Sequence, residues 1–120
     1  MSGVILVVDD DFEIRQMLCT LLTFQGYETI EAVDGRDALE KLTHFLPDAL
    51  ILDVMMPHMD GITLCRYLRR EPTTARLPIV MLSGKAQAEA VQAGLAAGAN
   101  RYLTKPMSLE ALMACLHELC

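Results

Sequence analysis

Three continuous apolar runs punctuate the chain: Val4-Ile5-Leu6-Val7-Val8, Ala49-Leu50-Ile51-Leu52 and Pro78-Ile79-Val80-Met81-Leu82. Runs of this length, bounded by turn residues, predict strands buried on both faces, as in a parallel sheet. Glu28 to Ala32 predicts a further short strand, and Arg101 to Leu103 or Thr104 a fifth. The stretches between them carry a helical period. Ile14, Met17, Leu18, Leu21 and Leu22 recur at i, i+3, i+4, i+7 and i+8, which predicts a helix from Phe12 to Gln25 with Gly26 as its stop. Asp34 is placed to cap a second helix with Ala38, Leu39, Leu42 and Phe45 inward, and Asp37 stands in a capping-box-like position. Ile62, Cys65, Leu68 and Arg69 mark a third helix, which ends before Pro72. Ala86 to Ala97 reads as a fourth, but its apolar face is thin: Ala90, Val91, Gly94 and Leu95. A glycine inside a helix costs about 1 kcal/mol against alanine, so this helix is expected to be the least firmly held. Ser108 caps a fifth, with Leu109, Leu112, Met113, Leu116 and Leu119 inward. Five strand–helix units predict a single α/β domain, a doubly wound (βα)5 with helices on both faces of a five-stranded parallel sheet.

In open α/β sheets the chemistry gathers just beyond the carboxyl ends of the strands. The third strand ends in Asp53, followed by a loop containing Pro57 and Gly61. An aspartate there often does no more than cap a turn. Yet the first strand ends in Asp9-Asp10-Asp11, the fourth in Ser83-Gly84 and the fifth in Lys105-Pro106. One site explains these four ends better than four unrelated caps. Asp11 is the acid best placed as the N-cap of the first helix. Asp9, Asp10 and Asp53 would then crowd three negative charges together. Two like charges about 4 Å apart repel by roughly 4 kcal/mol at an effective dielectric near 20. Lys105 offsets one charge, and a hard divalent cation such as Mg²⁺ would offset two.

Composition narrows the partners. The length suits one domain, and 52% apolar residues suffice for a sizeable core. No apolar run is long enough to span a bilayer, and no secretory signal is visible. A net charge of −6 argues against direct nucleic-acid binding, which needs a basic patch. The cysteines Cys19, Cys65, Cys115 and Cys120 form no Cys-x-x-Cys and have no histidine at a zinc spacing. They are expected to be reduced thiols in a cytoplasmic protein. His44, His58 and His117 read as surface residues, and most of the eight methionines as core fillers.

Taken together, Val7-Val8-Asp9-Asp10, Asp53 with Met56-Pro57-His58-Met59-Asp60-Gly61 behind it, Ser83-Gly84, Tyr102 and Lys105-Pro106 make a specific pattern. In order and spacing the chain resembles the receiver domain of two-component response regulators, over essentially residues 1–120. The resemblance implies the flavodoxin-like strand order 2-1-3-4-5 and a cis Lys105-Pro106 bond. It implies that Asp53 accepts a phosphoryl group from a phosphohistidine on a sensor histidine kinase or a histidine phosphotransfer protein. Mg²⁺ would be held by Asp10, Asp53 and the backbone carbonyl of Met55, with Asp9 acting through water. Lys105 and Ser83 would contact the phosphoryl oxygens, helped by the backbone N–H groups of Val54 and Gly84. Ser83 and Tyr102 would form the switch. The domain would be a signalling phosphoacceptor that catalyses only its own phosphorylation and dephosphorylation.

Two rivals use the same residues. A haloacid-dehalogenase-type phosphatase would take Asp9 as nucleophile, but it needs a late acidic pair on a further strand, and only the helical Glu110 and Glu118 follow Lys105. A receiver-like interaction module without phosphorylation would not need the full set of acids, hydroxyl and lysine. A flavin-binding domain of this topology would want a phosphate loop, not three acids, after its first strand. The output partner is expected on the face of residues 86–119. The family's winged-helix transcription factors dimerise there through ion pairs. This chain has Asn100-Arg101 before Tyr102 and no Lys or Arg on its last helix, so Glu110 and Glu118 would find no base on a second copy's last helix. A monomeric stand-alone regulator, or a receiver within a phosphorelay protein, is expected rather than an ion-paired dimer.

Overall fold

The computed structural model describes residues 3–120. The elements alternate without exception: β1 (Val4–Val8), α1 (Phe12–Phe24), β2 (Glu28–Ala32), α2 (Gly35–Leu42), β3 (Ala49–Asp53), α3 (Gly61–Arg70), β4 (Ile79–Ser83), α4 (Ala88–Ala96), β5 (Arg101–Thr104) and α5 (Leu109–Leu119). The strands form one sheet in the order β2-β1-β3-β4-β5, and every pairing is parallel. This is the doubly wound arrangement the strand–helix alternation predicts, in the flavodoxin-like order the resemblance implies.

Strand composition follows position in the sheet. All five residues of β3 and of β4 are buried, whereas the edge strands β2 and β5 are mostly half-exposed. Alternate residues of β1 serve opposite layers. Leu6 and Val8 pack with Leu50, Leu52, Leu64 and Leu68 on the side of α2 and α3. Ile5 and Val7 pack with Leu18, Leu22, Ile51, Leu112 and Leu116 on the side of α1 and α5. A slip of one residue would exchange the two sets, so burial on both faces fixes the register.

Four helices open on a side-chain cap. Asp11 accepts from the N–H groups of Glu13 and Ile14, Asp34 from Asp37, Asp60 from Thr63 and Ser108 from Ala111. Asp37 reaches back to the N–H of Val33, one residue earlier than in a standard capping box. α4 is the exception. Gln87 gives it no side-chain cap, it starts two residues later than its apolar spacing predicts, and only Gly94 is buried.

Two helical faces differ from their periodicity. The buried residues of α1 are Arg15, Leu18, Cys19 and Leu22, while Met17 is 48% exposed. The buried stripe is thus rotated by about one residue, and Arg15 lies on its inner side, at the end of β1. Phe45 lies beyond the end of α2 but still packs against the same core cluster. All four cysteines are free thiols.

Candidate functional site

The carboxyl ends of β1, β3, β4 and β5 are in step. Asp53 is in register with Leu82, Ser83 with Thr104, and Lys105 follows directly. Parallel pairing therefore carries Asp9, Asp53, Ser83 and Lys105 to one edge of the sheet. Asp53 is the last residue of β3 and is buried, as are Asp9 and Ser83. Asp10 is exposed.

One carboxylate oxygen from each of Asp9, Asp10 and Asp53 lies within 4.8 Å of the others. The Lys105 ammonium reaches Asp9 Oδ2 at 3.2 Å and Asp53 Oδ1 at 3.4 Å. Burial, and after it the charge of Asp9, pushes the Asp53 carboxyl above its ordinary value, although Lys105 and the Met55 N–H pull it back. Burial alone would lower the Lys105 amine, but the charges of Asp53 and Asp9 outweigh it and hold the amine above its ordinary value. Three acids and one base leave a formal charge of −2. Hard oxygen donors, one of them exposed and able to share its cation with water, suit a small divalent ion such as Mg²⁺.

The loop after Asp53 is shaped around it. The N–H of Gly61 donates to the carbonyl of Val54 at 2.9 Å. A Cβ at position 61 would stand 2.5 Å from the Asp53 carbonyl oxygen, so only glycine permits this approach. His58 adopts a left-handed φ of 68° in the same loop. Lys105-Pro106 is cis, as the resemblance implies.

One expectation needs correction. The N–H of Val54 is not free for a ligand, because it continues the β3–β4 ladder by donating to the Leu82 carbonyl at 3.2 Å. The N–H of Met55 points to Asp53 Oδ1 instead, at 3.3 Å. Gly84 is exposed, with open space where a Cβ would stand. The Ser83 hydroxyl accepts from the Lys85 N–H at 3.1 Å and does not cap α4. Tyr102 is half-buried and lies against α4 at Gly94, and its hydroxyl donates to the Lys85 carbonyl at 2.9 Å.

Two neighbours of the site escape the hydropathy pattern. Arg15 is buried and donates to the Asp9 carbonyl at 2.8 Å, although charged residues are usually placed on the outer face of a helix. Its only signal is the acid Glu31 at the end of the adjacent β2. The Met55 N–H could have been found from strand parity, since alternate N–H groups of a parallel strand face opposite neighbours. On the far side of β5, Arg101 pairs with Glu118 of α5 at 2.6 Å. Glu118 therefore has a basic partner within its own chain, where the sequence alone leaves it without one on a second copy.

The comparisons agree with this geometry. Residues 5–117 match the family model described as the response regulator receiver domain. The response regulator MprA of Mycobacterium ulcerans (strain Agy99) is 48% identical over 119 residues, which cover 99% of this chain and 50% of that protein. MprA of Mycolicibacterium vanbaalenii is 47% identical over 115 residues, 96% of this chain and 49% of that protein. The chain thus spans about half the length of the curated relatives it matches. Among solved structures, the Vibrio cholerae chemotaxis protein CheY4 superposes with a TM-score of 0.92 at 37% identity and full coverage of both chains. The Francisella response regulator 1452 receiver domain superposes with a TM-score of 0.90 at 35% identity, covering 98% of this chain and 95% of that one. With strand order, acidic cluster and sequence in agreement, the chain belongs to the response regulator receiver domains of two-component signalling.

Proposed function

We propose that residues 1–120 form one receiver domain whose phosphoacceptor is Asp53. The observation that carries this is the Lys105 ammonium shared between Asp53 and Asp9 beside three convergent carboxylates. The donor is a phosphohistidine on a sensor histidine kinase or a histidine phosphotransfer protein. An Asp53 carboxylate oxygen attacks phosphorus as the P–N bond breaks. The histidine nitrogen leaves with the bonding pair and takes up a proton, and an acyl phosphate remains on Asp53.

Mg²⁺ would be held by Asp10, Asp53 and the Met55 carbonyl, with Asp9 acting through water. When bound, it supplies positive charge to the phosphoryl oxygens. Lys105 supplies a further charge from the protein side. The Ser83 hydroxyl and the N–H of Gly84 donate to the remaining oxygens, and the Met55 N–H takes the role expected of Val54. Apart from its own phosphorylation and dephosphorylation the domain is a signalling element, not an enzyme. Ser83 and Tyr102 relay the state of Asp53 to the face of residues 86–119, where an output protein or effector domain docks. The domain acts in the cytoplasm as a monomer without contacting nucleic acid. Among the described residues no helix is long and apolar enough to cross a membrane.

The test is incubation with acetyl phosphate and Mg²⁺, read by intact mass. Wild type gains one labile phosphoryl group, and Asp53→Asn gains none. A variant labelled as fully as wild type would refute the assignment, and full-rate transfer in EDTA would refute the cation's part.

A further inference from the structure

Among the described residues Arg15 is the one buried base. Its Nε donates to Glu31 Oε1 at 2.8 Å, and one terminal nitrogen donates to the Asp9 carbonyl at 2.8 Å. Gln16 Nε2 donates to the same Glu31 oxygen at 2.7 Å, and the Phe12 ring covers the guanidinium with its centroid 5.5 Å away. The turn from β1 into α1 is tied at several further points. The Asp9 N–H donates to the Ala32 carbonyl at 3.2 Å, and the Arg15 N–H to the Asp11 carbonyl at 2.9 Å. The Asp11 N–H donates to Asp9 Oδ1 at 2.9 Å. Asp10 lies between these two fixed residues.

The choice of acceptors is informative. A guanidinium beside an acidic pocket would ordinarily seize a carboxylate, since charge-assisted bonds are the stronger ones. Here the pocket offers Arg15 only a backbone carbonyl, and the charge partner is Glu31 on β2, whose side chain is 39% exposed. The arginine thus fixes the Asp9–Asp11 backbone without neutralising the pocket. We infer that Arg15 is a positioning residue for the acidic site: it orients the turn so that the Asp9 and Asp10 carboxylates face Asp53, while Glu31 keeps its charge away from them. This rests on the cation-dependent phosphoacceptor reading above.

The test is calorimetric titration with Mg²⁺ alone, at a temperature where each variant is folded by circular dichroism. Outer partners that orient ligating groups typically change metal affinity by about 10–100-fold when removed. Arg15→Met should weaken Mg²⁺ binding about tenfold. Arg15→Lys should recover part of this, because an ammonium can reach the carbonyl but lacks the fork that also engages Glu31. Arg69→Met is the control. Arg69 ties α3 to the carbonyls of Gly98, Thr74 and Ala75, away from the acids, so its loss should lower the melting temperature and leave Mg²⁺ affinity unchanged. Wild-type affinity in both Arg15 variants would overturn the inference, as would equal weakening in Arg69→Met. Should Arg15→Met not fold, Arg15→Lys decides alone: weakened binding supports the inference and wild-type affinity overturns it. Wild type that failed to bind Mg²⁺ would overturn the reading of the site itself, and the inference with it.

Discussion

Ionised Asp53 should cost the cation-free fold stability, so Asp53→Asn should be the more stable protein. Asparagine keeps the size of the side chain and an acceptor for the Met55 N–H, which lies 3.3 Å from Oδ1. It removes a charge whose oxygen lies within 4.8 Å of those of Asp9 and Asp10 and 3.4 Å from the Lys105 ammonium. At an effective dielectric near 20, repulsion at the longer distance is roughly 3.5 kcal/mol per pair and attraction at the shorter one roughly 5 kcal/mol. Asp10 is exposed, so its share is largely screened. Repulsion and attraction therefore nearly cancel, and the desolvation of a carboxylate only 6% exposed decides the sign. The raised carboxyl pKa has the same sign and the same first cause. For such a group the favourable contribution is fully present below the unfolded-state pKa and is lost as pH rises through the higher folded value. At neutral pH the charge is a net cost, which we put at about 1–2 kcal/mol after relaxation. Urea unfolding in EDTA at pH 7 should show Asp53→Asn more stable by that amount, with the gap shrinking as pH falls through the Asp53 pKa. Saturating Mg²⁺ should close or reverse the gap, since a ligand at a hundredfold its Kd stabilises the protein that binds it by about 2.7 kcal/mol. A variant no more stable than wild type in EDTA would refute the reasoning.

Asp10→Ala should weaken Mg²⁺ binding far more than Asp11→Ala, whereas Asp11→Ala should lose about 1 kcal/mol in urea unfolding as the N-cap of α1; equal Mg²⁺ affinities would contradict this division of labour. His58→Gly should stabilise the fold by about 0.5–1 kcal/mol, because relief of a left-handed φ outweighs the added freedom of the unfolded chain; a lowered melting temperature would show that His58 makes compensating contacts. Gly94→Ala puts a Cβ 2.7 Å from the Tyr102 ring and 2.9 Å from Met81 Sδ. Helix propensity gains about 1 kcal/mol against an overpacking cost of about 1–3 kcal/mol, so stability should fall by about 1 kcal/mol while the ring is displaced; unchanged Tyr102 ring resonances in NMR would count against it.

Most of the site was legible because one rule placed it. Asp9 follows and Asp53 ends an apolar run, Lys105 follows β5, and parallel pairing with short loops leaves them no other edge to occupy. The cap at Asp11 was legible for a similarly local reason, since the first predicted helix begins directly after it. Arg15 was not, because hydropathy puts a cation on the outer face of a helix, and its partners Glu31 and the Asp9 carbonyl reach it only in the folded chain. On the same helix Met17, which the periodicity turns inward, faces solvent. Val54 was misassigned because the reach of the β3–β4 ladder decides whether its N–H is free, and that reach depends on register rather than residue type. The Arg101–Glu118 pair was hidden because its partners are 17 residues apart on different elements.

The proposed switch has a material connection through one residue, Lys85. The N–H of Lys85 donates to the Ser83 hydroxyl, and its carbonyl accepts from the Tyr102 hydroxyl. A serine hydroxyl that donates to a phosphoryl oxygen keeps a lone pair for the Lys85 N–H, so the loop can follow Ser83 rather than detach from it. Tyr102 must then follow as well or lose a hydrogen bond worth about 1 kcal/mol. α4 offers little resistance, being uncapped and burying only Gly94. The next residue back on β5 answers to a different element, because Arg101 is held by Glu118 of α5 in an exposed, solvent-screened pair. A partner that docked through Arg101 would first have to displace Glu118, cancelling most of what an exposed ion pair supplies. Binding energy on this face is better drawn from α4, where Leu95 is 41% exposed and the neighbouring side chains are small. Tyr102 lies against α4 at Gly94, so under the proposed switch a partner that reads α4 would also read the state of Asp53.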